Sequence, residues 1–211
     1  MFVPESDLRQ VEDAHRRCLQ PIGSLDDRDV RRPSRLPGWT VAHLLTHLAR
    51  NADSHVRRSE AARQGETVDQ YEGGGEGRAA EIETGARRGA AELIADVRES
   101  ADALEEVWRQ LPEDAWLGRS RDVSGSTRYL FELPSRRWEE VEVHLVDLDL
   151  GITYADWSDA FVGEWLPRSR ERLRSTLPDL DSVRFADPAE ELAWLYGRLD
   201  RPDLPPAPPW G

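Results

Sequence analysis

Lysine is absent from this 211-residue chain, and all 28 of its basic side chains are arginine. Such a bias reads first as the codon usage of a GC-rich genome and not as a functional signal. Cysteine is almost absent as well. Cys18 stands alone beside Leu19, so no intrachain disulfide can form and no charged neighbour activates the thiol; thiol chemistry would need a thiol from outside. Long apolar runs are also missing. The opening "MFVPESDLRQVEDAHRR" has no apolar core of signal-peptide length and nothing later approaches a membrane span, so the expectation is a cytoplasmic protein without a membrane partner.

The apolar share, 38%, is low, yet eight tryptophans and periodic Leu and Val supply burial that a disordered acidic chain would not have. Acidic residues outnumber basic ones by 41 to 28, giving a formal charge of -13. That charge repels nucleic acid and anionic membranes at long range and favours small neutral or locally neutralised ligands. The length suits one core with a small addition, which we expect as a helical bundle over 1–178 and a short segment over 179–211 packed on it, in a monomer or weak dimer.

Helical spacing recurs along the chain. Ser6 or Asp7 can cap a first helix bearing Leu8, Val11, Ala14, Cys18 and Leu19, ending near Pro21 and Gly23. Thr40 caps a second with Val41, Leu44, Leu45 and Leu48 on one face. "QGETVDQYEGGGEG", residues 64–77, reads as a mobile loop able to act as a lid, and a third helix is expected from Arg78 to Leu111, where Pro112 ends it. "SRDVSGSTRYLFEL" suggests a short extended piece before Pro134 opens a fourth helix, closed by Gly151. A fifth helix runs from about Ser158 to Leu177 until Pro178 stops it; then come a strand in "DSVRFAD", a short helix in "PAEELAWLYGR" and a proline-rich tail. Together these predict a mainly α fold: an up-down four-helix bundle with a small C-terminal α/β appendage.

Within the fourth helix, "RRWEEVEVHLVDLDLG" sets Glu140 and His144 four residues apart, on one face and one turn from each other. Alone, such a pair reads as a solvated ion pair. On the second helix His43 and His47 are also four apart, and Asn51 and His55 continue the stripe; His47, among Leu44, Leu45 and Leu48, must find a partner or stay neutral. Bundle cores build metal sites from facing helices, and His47 with Glu140 and His144 would give three ligands and one open position, as in catalytic zinc sites. His43 and His55 would then support the site or lie at the surface, Glu139 and Glu142 would face water, and Trp39, Trp138, Trp157 and Trp194 would anchor the core.

"LPGWTVAHLLTHLARNAD" (36–53), "RRWEEVEVHLVDLDLG" (136–151), "YADW" (154–157) and "ELAWLYGR" (191–198) together resemble the mycothiol-dependent maleylpyruvate isomerase family, part of the DinB-like four-helix-bundle superfamily. The resemblance implies a divalent metal, usually zinc, on His47, Glu140 and His144, the same residues that the spacing singles out. It further implies mycothiol, the small thiol of actinobacteria, as cofactor or cosubstrate. Metal lowers the thiol's pKa, the thiolate adds to the cis double bond of a diacid such as maleylpyruvate, and rotation before expulsion gives the trans isomer. Substrate carboxylates would then need arginine, Arg198 first and Arg137 second; Asn51 could bond to a metal ligand or to the thiol, and Asp147 and Asp149 could support either. Two other readings stand beside isomerisation: a thiol S-transferase acting on an electrophile, and a non-catalytic bundle that keeps the metal for stability.

Overall fold

The computed structural model describes residues 3–177, 180 and 183–204. It is mainly helical, with α1 Glu5–Ile22, α2 Val41–Arg63, α3 Gly74–Gly85, α4 Ala90–Arg109, a hairpin of β1 Arg119–Arg121 and β2 Thr127–Tyr129, then α5 Leu133–Asp147, α6 Asp159–Leu173 and α7 Pro188–Leu195. The chain divides into two compact units, Met1–His144 and Leu145–Gly211, with the division inside α5; the sequence placed it after 178, at residues outside the described set.

In the first unit α1, α2, α4 and the Leu133–His144 part of α5 form the four-helix bundle. Helix α4 packs on both α1 and α2, and α5 hydrogen-bonds to both through Arg137 and through Glu142. The order around the bundle is therefore α1, α4, α2, α5, and the long connections 23–40 and 110–132 join helices across its diagonals. Val11, Ala14, Cys18 and Ile22 on α1 and Leu93, Val97, Ala101, Leu104 and Trp108 on α4 recur every three or four residues, and all are buried. Helix α2 begins where the backbone N–H of Thr40 donates to His43 Nδ1 across 3.2 Å, so His43 closes a helix end.

The expected third helix is two helices. Arg31 supplies the reason: its guanidinium donates to the carbonyls of Ala86, Arg87 and Arg88, ending α3, while Asp27 Oδ1 accepts the Ala90 N–H at 2.7 Å and starts α4. The segment read as a mobile loop is anchored instead. Arg57 donates to the carbonyls of Asp69 and Gln70 at 2.7 and 2.6 Å, the Arg121 N–H donates to Val68 O at 3.1 Å, and Tyr71 is buried. Its glycine run does not stay irregular, because Gly73 turns at φ +70 and α3 starts at Gly74.

In the second unit α6 packs on α7, and Leu173, Leu180, Trp194 and Leu195 form its core with Leu166, Leu177, Phe185, Leu199 and Leu204. Ser158 caps α6 by accepting the Phe161 N–H at 3.2 Å, and Asp187 caps α7 through the Glu190 N–H at 2.8 Å. Of "DSVRFAD", the described residues 183–187 form no strand; the sheet of this protein is the hairpin with Arg119 opposite Tyr129, which occupies the expected extended piece before Pro134. Asp181, Ser182, Pro178 and the tail from 205 lie outside the described residues. No helix among the described residues is long and apolar enough to cross a membrane.

Helix α3 meets α2 at a glycine. A Cβ on Gly85 would stand 2.4 Å from Thr46 Cγ2, closer than any ordinary contact, so glycine alone permits this approach. Gly85→Ala should therefore lower stability by about 1–3 kcal/mol, the usual cost of overpacking, as read from urea unfolding.

Candidate metal centre

One face of α2 carries a polar stripe that is nevertheless buried: His47, Asn51, His55 and Arg58 follow one another at steps of three or four, with Ser54 beside them. Opposite them stands α5, and its rotation is fixed by Arg137. This guanidinium is 1% exposed; Nε donates to His15 Nε2 at 3.0 Å, and Nη1 donates to Leu48 O and Asn51 Oδ1, both at 2.9 Å. His15 Nδ1 in turn donates to Glu105 Oε1 at 2.7 Å, so that one chain of hydrogen bonds runs through α4, α1, α5 and α2. Arg137, expected to meet a substrate carboxylate, instead ties the bundle together.

With α5 held in this rotation, Glu140 and His144, one and two turns further on, reach His47. Glu140 Oε1 lies 2.6 Å and His144 Nε2 3.1 Å from His47 Nε2, and 3.5 Å separates the last two ligands from each other. All three donor atoms fall within 4.8 Å of one another. A circle through them has a radius of about 1.8 Å, a little under a typical zinc–ligand bond of about 2.0–2.1 Å, so the triangle suits a small divalent ion on one of its faces. His47 and His144 side chains are 2% and 6% exposed while Glu140 is 23% exposed, so solvent reaches the triad from the carboxylate side.

Protonation states match the donor role. Burial brings His47 down to about 4, against a smaller opposing pull from Glu140, and leaves its imidazole neutral at pH 7. Burial would raise the Glu140 pKa, but hydrogen bonds from His144 and His47 hold it well below the usual carboxylate range. Two imidazoles and one carboxylate thus converge, a donor set that a cation complements. Arg78 Nη2 faces His47 Nδ1 at 3.3 Å, assigning the imidazole proton to Nε2; an ion at Nε2 would shift that proton to Nδ1, so metal loading and this Arg78 contact exclude each other.

Around the triad, sequence reasoning missed three residues. Trp39 is half-buried, its ring edge-on to His47 at 5.6 Å; it walls the site instead of anchoring the core as Trp138, Trp157 and Trp194 do. Tyr71 comes from the segment expected to be a loop and Arg78 from the first residue of the expected third helix, and the Tyr71 ring lies 5.8 Å from the Arg78 guanidinium carbon. Their only sequence signal was an aromatic and an arginine flanking a glycine run.

Other expected residues take structural parts. Asn51 Oδ1 accepts from Arg137 at 2.9 Å. His55 Nδ1 accepts from Arg58 at 3.1 Å against the Trp108 ring. In the second unit Arg198 grips Asp147 with two hydrogen bonds of 2.9 and 2.6 Å, and both side chains are buried. Asp149 adopts φ +55 just after α5. Glu139 and Glu142, expected to face water, are buried: Arg136 meets Glu139 at 3.2 Å, and Arg17 Nη1 donates to both oxygens of Glu142 at 2.6 and 2.7 Å. The sequence could not show that α1 covers this side of α5. Cys18 is likewise buried, and loss of solvation pushes its thiol up to about 12.

Two measurements check the site. His144→Ala should abolish metal uptake, as read by metal analysis, and leave the far-ultraviolet circular dichroism nearly unchanged, because apolar faces hold the bundle. His15, brought down to about 4 mainly by burial, has a folded pKa below its unfolded value of 6.5. Between these values the unfolded chain binds more protons, so the stability this residue contributes is present above 6.5 and lost as pH falls towards 4. His15→Gln should accordingly shrink the stability difference between pH 7 and pH 5 by about 2 kcal/mol in urea titrations.

Comparison with known proteins agrees with this fold. No curated protein matches the chain. A crystal structure of the mycothiol-dependent maleylpyruvate isomerase superposes with a TM-score of 0.88 at 23% identity, covering 99% of this chain and 98% of that one. A histidine-to-alanine mutant of a mycothiol-dependent maleylpyruvate isomerase gives 0.87 at the same identity and coverage. YfiT from Bacillus subtilis, a probable metal-dependent hydrolase with an unusual four-helix bundle topology, gives 0.57 at 17% identity over 70% of this chain and 85% of its own. The profile of the mycothiol maleylpyruvate isomerase N-terminal domain matches residues 8–149, more than half of the sequence, and the chain belongs to that family.

Proposed function

We propose that this protein is a zinc- and mycothiol-dependent cis–trans isomerase of the maleylpyruvate type, acting on an activated double bond in a small acid. The observation that carries the reading is the convergence of His47, Glu140 and His144 donor atoms within 4.8 Å in a bundle of this family. A divalent ion there supplies Lewis acidity that makes a thiolate available at neutral pH. The chain's own thiol cannot serve, since Cys18 is buried and ionises only near 12. An external thiol is therefore required, and mycothiol is the one the family name supplies.

The residues divide the remaining tasks. His47, neutral at pH 7, and His144 would each offer an imidazole nitrogen, and Glu140 brings a negative charge and the solvent-facing edge of the site. Arg137 and Asn51 set the distance between α2 and α5, so ligand spacing does not depend on the ion alone. Trp39 screens the His47 ring from bulk water. This leaves a preformed triad, held by neighbours that stay in place when the metal leaves.

The test is to load the protein with zinc, supply mycothiol and maleylpyruvate, and follow fumarylpyruvate. Formation should require both the thiol and the metal, and should fail in His144→Ala. A stable thiol adduct with an electrophile and no fumarylpyruvate would replace isomerisation with S-transfer. Chelation should cost the fold little; unfolding on zinc removal would show instead a metal kept for stability.

A further inference from the structure

We infer that Arg78 is a specificity-determining residue, binding a carboxylate of the substrate beside the metal triad and selecting small carboxylic acids over neutral electrophiles. The inference rests on the metal-centre reading for where the reacting carbons lie, but on separate residues for what holds the acid.

Arg78 projects from the first turns of α3 and is half-buried. Its guanidinium carbon lies 5.9 Å from the Trp39 ring and 5.8 Å from the Tyr71 ring, and Nη2 reaches His47 Nδ1 at 3.3 Å. Two aromatic faces therefore set the plane of the fork. Metal ligand and guanidinium meet on the two nitrogens of one imidazole, so a small molecule beside the triad is within reach of Arg78.

Charge is what the arrangement lacks. Arg17, Arg50, Arg88 and Arg198 each have a carboxylate within hydrogen-bond distance. Among the described residues none lies within 4 Å of Arg78; its hydrogen-bond partner is His47, and the Tyr71 ring lies 5.8 Å from its guanidinium carbon. A partly desolvated guanidinium with only neutral partners is completed by an anion, and its planar donors match a carboxylate with two parallel hydrogen bonds. The weak 3.3 Å contact to His47 is lost when an ion takes Nε2, which leaves the fork available at the moment the site is loaded. Arg137 and Arg198, the arginines the sequence suggested for this task, are already engaged by His15, Leu48 and Asn51 and by Asp147.

Maleate, a diacid without the keto group, serves as probe. Calorimetric titration into zinc-loaded protein should show maleate binding that Arg78→Gln weakens about tenfold or more, Arg78→Lys less, with zinc content and melting temperature unchanged in both. The dimethyl ester should bind the wild type and Arg78→Gln alike. With maleylpyruvate, Arg78→Gln should raise KM more than it lowers kcat. Unchanged maleate affinity in Arg78→Gln would overturn the inference, as would loss of zinc along with maleate, which would make Arg78 a support for His47. If the wild type binds maleate through Arg78 yet forms no fumarylpyruvate with mycothiol, the carboxylate site stands and the isomerase reading falls.

Discussion

The hydrogen bonds around the buried Arg137 guanidinium are the constraint on which the His47, Glu140 and His144 cluster depends. A guanidinium at 1% exposure is tolerable only when its donors are met, and here they are met by α1 through His15 and by α2 through Leu48 O and Asn51. His15 hands the network on to Glu105 of α4, so one interaction couples all four bundle helices. Because Arg137 precedes Glu140 by three residues, satisfying it also sets the face of α5 turned towards α2. A rotation of α5 by one residue would strand a buried charge, and that penalty positions Glu140 and His144 more firmly than apolar packing could.

Burial then does the electrostatic work. The chain as a whole carries -13, but the inner face of α2 is lined with imidazoles and guanidiniums, and the Glu140 carboxylate is the acid that joins His47 there. Desolvation keeps His15 and His47 neutral near pH 7, bringing both to about 4, and it brings even Arg58 to about 10. Neutral imidazoles are what both the structural chain and the metal triad require. The site and the fold thus share one condition, imidazoles kept neutral by burial, and they weaken together when acid protonates them.

Much of this was legible in the sequence, and the limits have identifiable causes. The spacing of Glu140 and His144 and the place of His47 within an apolar run marked a metal triad, because helical periodicity fixes which residues share a face. The same periodicity could not say what covers the opposite face. Glu139 and Glu142 alternate with apolar residues as solvated side chains do, yet Arg17 arrives from α1 to bury Glu142. Residues 78–111 read as one helix because Arg31, far off in sequence, is what ends α3. Trp39, Tyr71 and Arg78 carried no periodic signal, since their neighbourhood exists only once Gly85 lets α3 settle against Thr46.

The sequence by itself determined most of the helices, the family and the three residues whose donor atoms converge, because each follows from spacing within a single segment or from motifs that survive as strings. Only the tertiary structure decided which arginines are free to act. Arg137 and Arg78 look alike in sequence, one beside a tryptophan and one after a glycine run. Three hydrogen bonds to His15, Leu48 and Asn51 engage Arg137, whereas Arg78 has a single 3.3 Å contact to His47. Hydrogen bonding between segments 30 to 120 residues apart is a property of the folded chain, and no local pattern encodes it.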